Sequence, residues 1–496
     1  MSTGVFISLG AYFVLMLAIG VYGYLKTDKD VTGFMLGGRK LSPAVTALSA
    51  GASDMSGWML LGLPGLIYAV GLSGSWIAIG LTVGAYLNYR LVAPRLRLYT
   101  ELLDDAVTIP EYLERRFEDN SHLIRILCAV VIIVFFAIYT TSGVVAGGKL
   151  FESSFGIDYR IGLYVTAGVV VAYSTFGGFM AVSTTDFVQG CVMLLALVVV
   201  PIVTIMNLGG WSAVETQLTH LNPDLLQLSN VSLLAIISAA SWGLGYFGQP
   251  HIIVRFMAIE RVADLPTARR IGMSWMIVSI LGTLAVGLAG AAYIQANNLS
   301  IADPETIFIF LSSTLFHPLV AGFLLAAILA AIMSTISSQL LVTSSSITED
   351  VYYTFLRKNA TESERLIVGR LSVVFVALLA VVLAHDRDSS ILSLVSNAWA
   401  GFGASFGPVV ILSLFWSKMT RQGALAGMFF GAATVLFWVY APLSINGQSL
   451  SSFLYEIVPG FIVGFTATIV VSLLTRSEPA IEERHSKMES ELISIT

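Results

Sequence analysis

Three stretches of this chain combine residue types that can hold a small cation and an apolar solute. The first, Ser49-Ala50-Gly51-Ala52-Ser53-Asp54-Met55-Ser56-Gly57-Trp58, sets small side chains around one carboxylate. The second, Trp242-Gly243-Leu244-Gly245-Tyr246-Phe247-Gly248-Gln249-Pro250, spaces three glycines between aromatic residues and ends on proline. The third, Ala330 to Gln339, puts Ala331, Ser334 and Thr335 at i, i+3 and i+4, on one helical face. Glycine tolerates dihedrals closed to other residues and proline lacks a donor, so a helix through the second stretch can come apart and free its carbonyls. Small residues around an acid make the first a good place to unwind as well. Freed carbonyls and two hydroxyls are hard oxygen ligands, which a sodium-sized cation prefers. Trp242 and Tyr246, four residues apart, and Tyr139 can cover an apolar ring and still present an indole or phenol donor.

Each stretch also admits a plainer use. Small residues let helices pack closely. Asp54, helped by Ser53, would serve as the N-cap of a restarting helix. Serine and threonine in apolar helices commonly bond the carbonyl one turn back, and aromatic residues fill cores or interfacial belts. The elements that carry these residues weigh on the choice.

Of 496 residues, 56% are hydrophobic and only 11% charged, with a mean hydropathy of +0.83. Apolar stretches of about 20 residues recur along the chain, each matching a bilayer's hydrocarbon core, and in lipid such stretches must be helical. The alternation of a membrane barrel is absent. An all-α polytopic membrane protein follows. Thirteen helices are expected, near 4–25, 42–69, 72–94, 123–149, 158–176, 186–208, 231–251, 271–296, 315–345, 366–385, 389–416, 422–441 and 454–475. The first reads as a retained span rather than a cleaved leader. With the N-terminus outside, all but Lys149, Arg160 and Arg387 of the 26 Lys and Arg fall on the cytoplasmic side, Lys29 among them. That is a strong positive-inside bias, and it puts the C-terminus in the cytoplasm.

Asp54 is the acid expected near the middle of a span, where an unpaired carboxylate is costly and therefore functional by default. The two glycine-rich stretches each open a run of five spans, 2–6 and 7–11, which points to an inverted repeat of broken helices. Repeat one covers about 42–208 and repeat two about 231–416, with the last two helices at about 422–475. The tail, 476–496, carries Glu482, Glu483, Arg484 and Glu489 and reads as a solvated end. No soluble domain or P-loop fits, which argues against an ATP-driven pump. His122, His220, His251, His317, His385 and His485 are scattered near loops or helix ends, which argues against a membrane-embedded enzyme. An ion channel would need a continuous polar pore. Nothing points to nucleic acid or to an obligatory protein partner; membrane lipid is the expected surround.

At these residues the chain resembles the sodium/solute symporter family. The likeness is carried by Leu36-Gly37-Gly38-Arg39, Ala47 to Trp58, the run Gly177-Gly178-Phe179 through Thr185-Asp186 to Gln189, Trp242 to His251, and Ala330 to Ser338. The resemblance implies thirteen helices with a five-plus-five repeat and sodium-coupled uptake of L-proline across a bacterial inner membrane. Pantothenate, a sugar or a monocarboxylate is the alternative solute. It implies a sodium ion held by the carbonyls of Ala52, Met55 and Ala331 and the side chains of Ser334 and Thr335. Asp54 would be an electrostatic partner, and Asp186 would aid release. The implied proline pocket is Tyr139, Trp242 and Tyr246, with Trp58 and Pro250 nearby.

Overall fold

The computed structural model describes residues 3–26, 30–386 and 390–495; Lys29 and Arg387, two of the loop charges, lie outside the described residues. Helices α1 (Thr3–Lys26), α2 (Pro43–Met55), α3 (Gly62–Val70), α4 (Ser75–Leu87), α5 (Ala93–Leu102), α6 (Leu123–Phe155) and α7 (Tyr159–Asn207) make the first half. The second contains α8 (Leu233–Ala240), α9 (Pro250–Ala258), α10 (Leu265–Ala296), α11 (Pro318–Ser345), α12 (Glu362–Leu383) and α13 (Ile391–Phe415). Then come α14 (Arg421–Tyr440), α15 (Ile457–Leu474) and α16 (Pro479–Ile495). Among the described residues, ten segments are long and apolar enough to cross a membrane, against thirteen expected. The expected span 42–69 is broken, so that α2 falls short and α3 runs on with α4 and α5 in one segment, Gly57–Leu102; the expected span 231–251 is broken too, leaving α8 and α9 each too short alone. The expected spans 158–176 and 186–208 both lie in α7, which is two helices meeting at Gly178 (φ 60°, ψ −168°), a non-helical conformation open to glycine, with no loop between them.

Both breaks fall in the glycine-rich stretches, the first of them late in its stretch. Helix α2 runs unbroken through Gly51 and stops at Ser56 (φ 41°, ψ −172°), followed by a 3-10 turn, Gly57–Met59. Its start is fixed by Ser42, whose hydroxyl accepts from Val45 N–H, with Pro43 in the first turn. Between α8 and α9 a 3-10 stretch covers Ser241–Gly248, Gln249 is extended, and Pro250 opens α9, which continues to Ala258, past the expected end at 251. A π-turn, Asn88–Val92, joins α4 to α5.

Opposite ends of the bundle differ in charge. At the basic end, Arg39 donates to Met257 O and Ala106 O, both at 2.9 Å, and Arg97 to Ile259 O at 2.8 Å. Leu41 N–H reaches Ala258 O, and Glu260 N–H returns to Leu41 O, both at 3.1 Å. At the other end, Lys149 pairs with Asp303 (3.0 Å) and Glu305 (2.8 Å) beside a cavity of about 880 Å³. Glu305 also accepts from Ser390 Oγ (3.2 Å) and Leu392 N–H (3.3 Å), clamping the start of α13. A short hairpin, Ser444–Ile445 with Gln448–Ser449, turns through Asn446 and Gly447, both at positive φ.

The tail is not a solvated end. Helix α16 packs on α5 with Ile481, His485, Met488 and Leu492 buried, and Arg484 pairs with Glu118 at 2.7 Å. Its charges dominate the composition, but the apolar side chains recur every three or four residues along one stripe.

Candidate functional site

The last four residues of a helix keep carbonyls without intrahelical partners. In α2 these are Ala52, Ser53, Asp54 and Met55, and Ser56 prevents the next turn from covering them. Ser56 Oγ accepts from Trp58 N–H at 3.2 Å, so the capping role considered for Asp54 belongs to Ser56. Facing the bare carbonyls is α11. Ser334 Oγ donates to Ala52 O at 2.8 Å and lies 3.1 Å from Ala331 O; Thr335 Oγ1 lies 3.1 Å from Ala331 O and 3.4 Å from Ala52 O. Four of the five expected cation ligands therefore converge. Met55, the last residue of α2, is buried one turn on, and its carbonyl belongs to the same orphaned set.

Asp54 points the other way around α2. Its Oδ2 accepts a very short hydrogen bond from the Tyr246 hydroxyl, joining one break to the other. Tyr139 OH donates to Asp54 O at 3.3 Å. Two carbonyls of the second break are met by side chains, since Asn88 Nδ2 donates to Tyr246 O (3.1 Å) and Trp399 Nε1 to Trp242 O (2.7 Å). The Trp242 ring stacks on Tyr455 (5.2 Å, 24°) and Trp399 (6.5 Å, 26°) and lies 6.1 Å from Trp58; Tyr246 meets Trp399 edge-on at 5.1 Å. Trp58, Trp242 and Tyr246 thus share one aromatic box. Tyr139 joins it through Asp54, whereas Pro250 lines a separate cavity with Ile132, Val254 and Val342. The cavity beside Asp54 and Tyr246 is about 20 Å³, room for about one water, so an amino acid enters only if the box opens.

Asp54 is not the sole acid buried among the helices. Asp186, in α7, is fully buried and accepts from Ser49 Oγ (2.7 Å), Arg255 Nη2 (3.2 Å) and Ser338 Oγ (3.4 Å). Arg255, expected on a loop, is fully buried in α9 and also donates to Ser49 Oγ at 3.1 Å and to the carbonyl of His251. Ser338 is one turn along α11 from Ser334, so this ion pair adjoins the hydroxyl cluster on its basic-end side. The reach of α9 explains Arg255: the expected span ends at 251, whereas Pro250 opens a helix, as proline commonly does. Ser56, Asn88, Trp399 and Tyr455 were also missed. A tryptophan among the small residues of Ala398 to Gly401 was the available signal for Trp399, and the other three had none beyond position.

A model of the "Sodium:solute symporter family" matches residues 34–431. The chain belongs to that family. It is 55% identical over 477 residues to the "Osmoregulated proline transporter OpuE" of Bacillus subtilis, covering 96% of each chain. To a "Sodium/proline symporter" of Staphylococcus aureus it is 53% identical over 484 residues, covering 96% of this chain and 94% of the relative. Among solved structures, a substrate-bound outward-open Na+-coupled sialic acid symporter superposes with a TM-score of 0.81 at 20% identity, over 96% of this chain and 99% of that one. The nucleobase-cation-symport-1 family transporter Mhp1 superposes with a TM-score of 0.56 at 12% identity, over 92% and 98%. At such identities the likeness concerns the fold alone, which is the all-α, leucine-transporter-like fold of sodium symporters. Discontinuous helices at membrane depth are a recurring device of transporter folds.

Proposed function

We propose that this chain carries L-proline and sodium together across a bacterial inner membrane by alternating access. The observation that carries the reading is the convergence of Ala52 and Ala331 carbonyls with the Ser334 and Thr335 hydroxyls at the end of a broken helix. With an ion seated, the hydroxyl hydrogens turn away and their lone pairs face the cation, with Met55 O completing five oxygens. Sodium then joins α11 to α2 and orders the adjoining box. The pyrrolidine ring of proline lies on Trp242 and Tyr246, bounded by Trp58, with Tyr139 at its margin and Pro250 set apart on its own cavity. Asp54 adds long-range attraction for the cation, and Asp186 draws it toward the cytoplasm. The two relatives, one a proline transporter and one a sodium/proline symporter, support the same solutes.

In this reading the thirteen crossings start outside, the basic end is cytoplasmic, and α16 lies in the cytoplasm. Residues 1–475 form one transporter domain, with repeats at about 42–208 and 231–416. The chain is a carrier, not an enzyme, and needs only lipid around it. An inward membrane potential favours sodium entry by about 2.3 kcal/mol per charge per 100 mV. Differential affinity of the two access states couples the solutes. The test is radiolabelled proline uptake into proteoliposomes with and without an imposed sodium gradient, with unlabelled proline, pantothenate, a sugar and a monocarboxylate as competitors. Uptake that ignored the gradient, or that proline failed to compete, would sink the reading.

A further inference from the structure

We propose that His251 and Gln339 form a carboxylate-binding station on the path by which the solute leaves the pocket toward the basic end. The proposal rests on the symport reading above and names a residue pair that this reading does not use. His251 stands in the first turn of α9, fully buried, its ring edge-on to Phe136 (5.4 Å) and Tyr139 (5.7 Å). Neither ring nitrogen has a hydrogen-bond partner. Gln339, on α11, is fully buried too; its Oε1 accepts from Thr140 Oγ1 at 3.0 Å, and its Nε2 has no partner. Phe136, Tyr139 and Thr140 fall at i, i+3 and i+4 of α6, so the imidazole and the amide meet one face of the same helix.

A histidine that merely fills a core finds partners for its nitrogens, because burying them bare is costly. Here the unpaired groups are chiefly donors: one imidazole N–H and two amide hydrogens. The imidazole sits at the N-terminal, electropositive end of a nine-residue helix, and the Gln339 amide approaches the same face of α6 from α11. Donors gathered at a positive helix end complement an anion, and the anionic group of a zwitterionic amino acid is its carboxylate. The location fits transit. Tyr139, on one side, touches the pocket. One turn further toward the basic end, Ile132, Val254 and Val342 line a small cavity with Asp350. Val107 borders both that cavity and a mouth of about 620 Å³ where acids, Glu111, Glu114 and Glu349 among them, stand beside Arg115, Arg125 and Arg365. The carboxylate would pass from pocket to station to mouth without losing all its hydrogen bonds at once.

The test uses the full chain in proteoliposomes, as wild type, H251L, H251N and Q339L. Sodium-dependent binding of radiolabelled proline at equilibrium and the rate of proline transport are both measured. Loss of a hydrogen bond to a charged group at a transit point slows transport about tenfold in H251L and Q339L. Binding stays within about threefold of wild type, since the pocket itself is intact, and H251N, which keeps an N–H donor, recovers at least about a third of the rate. Unchanged rates in both leucine variants overturn the station. So does binding that falls in step with rate, which would make His251 part of the first pocket. Wild-type chain that binds no proline in sodium sinks the symport reading instead, and the station with it.

Discussion

The two breaks at the centre of this molecule are built differently. At Ser56 one residue in an uncommon conformation ends α2 abruptly, leaving the C-terminal carbonyls of a half-helix bare. From Ser241 to Gly248 the chain loosens over eight residues, and the half-helix that follows, α9, presents its N-terminus. Carbonyls attract cations, and helix N-termini attract anions. A sharp stop concentrates acceptors for a spherical ion. A long loosened stretch spreads Trp242 and Tyr246 over the surface a ring would need. Under the proposed function one break serves the ion and the other the organic solute, with the Tyr246–Asp54 hydrogen bond between them.

The largest test strikes the joint that both breaks share. Arg255 and Asp186 are each fully buried, and Ser49 of α2 bonds to both. Arg255→Met leaves a buried carboxylate unpaired and is expected to cost about 3–5 kcal/mol of stability, read as a lower unfolding temperature in detergent, with Asp186→Leu added in cis restoring most of it. Next come Ser334→Ala and Thr335→Ala. Each should weaken apparent sodium affinity roughly 10- to 100-fold while leaving proline affinity at saturating sodium nearly unchanged. The reverse pattern would show that the breaks do not divide the labour as described.

Gly51 and Gly245 sharpen the contrast further. A Cβ on Gly245 would fall 1.9 Å from Trp399 Nε1, against 2.7 Å from the Trp275 ring for Gly51. Gly245→Ala should lower proline affinity by about tenfold, and Gly51→Ala, inside a regular helix, by much less, both read by equilibrium binding. Tyr246→Phe removes the donor to Asp54 and should cost roughly five- to tenfold in proline affinity. The smallest effect lies away from both breaks. Burial, and then the neighbouring Arg116 charge, hold the His485 imidazole below its usual value. The stability gained by burying it neutral is present above about pH 6.5 and lost as pH falls toward the lowered value, so α16 should gain protease sensitivity on acidification while uptake stays nearly constant.

Much of this arrangement was legible in the chain, because membrane spans announce themselves by composition and functional backbone by glycine, proline and hydroxyls. Ser334 and Thr335 could be placed on one face by spacing alone, and the aromatic pair Trp242 and Tyr246 by its setting. What stayed hidden depends on pairing across elements. Arg255 looked like a loop charge because nothing local tells that Asp186 waits for it across the bundle. Ser56 adopts the positive φ that a glycine would have advertised, while its neighbour Gly57 does not. The stripe of α16 was masked by its own charged outer face. His251 was taken for a residue near a helix end, which it is, but that end lies deep in the bundle.

The paired hydrogen bonds between Leu41 and the Ala258–Glu260 segment have a mechanical consequence. They lash the foot of α2 to the foot of α9, and Arg97 and Arg39 bolt neighbouring loops to the same spot. Two half-helices tied at the base swing as a single lever rather than separately. Bending is then left to Ser56 and to the loosened stretch before Gln249, so turnover should track how freely those few backbone torsions rotate.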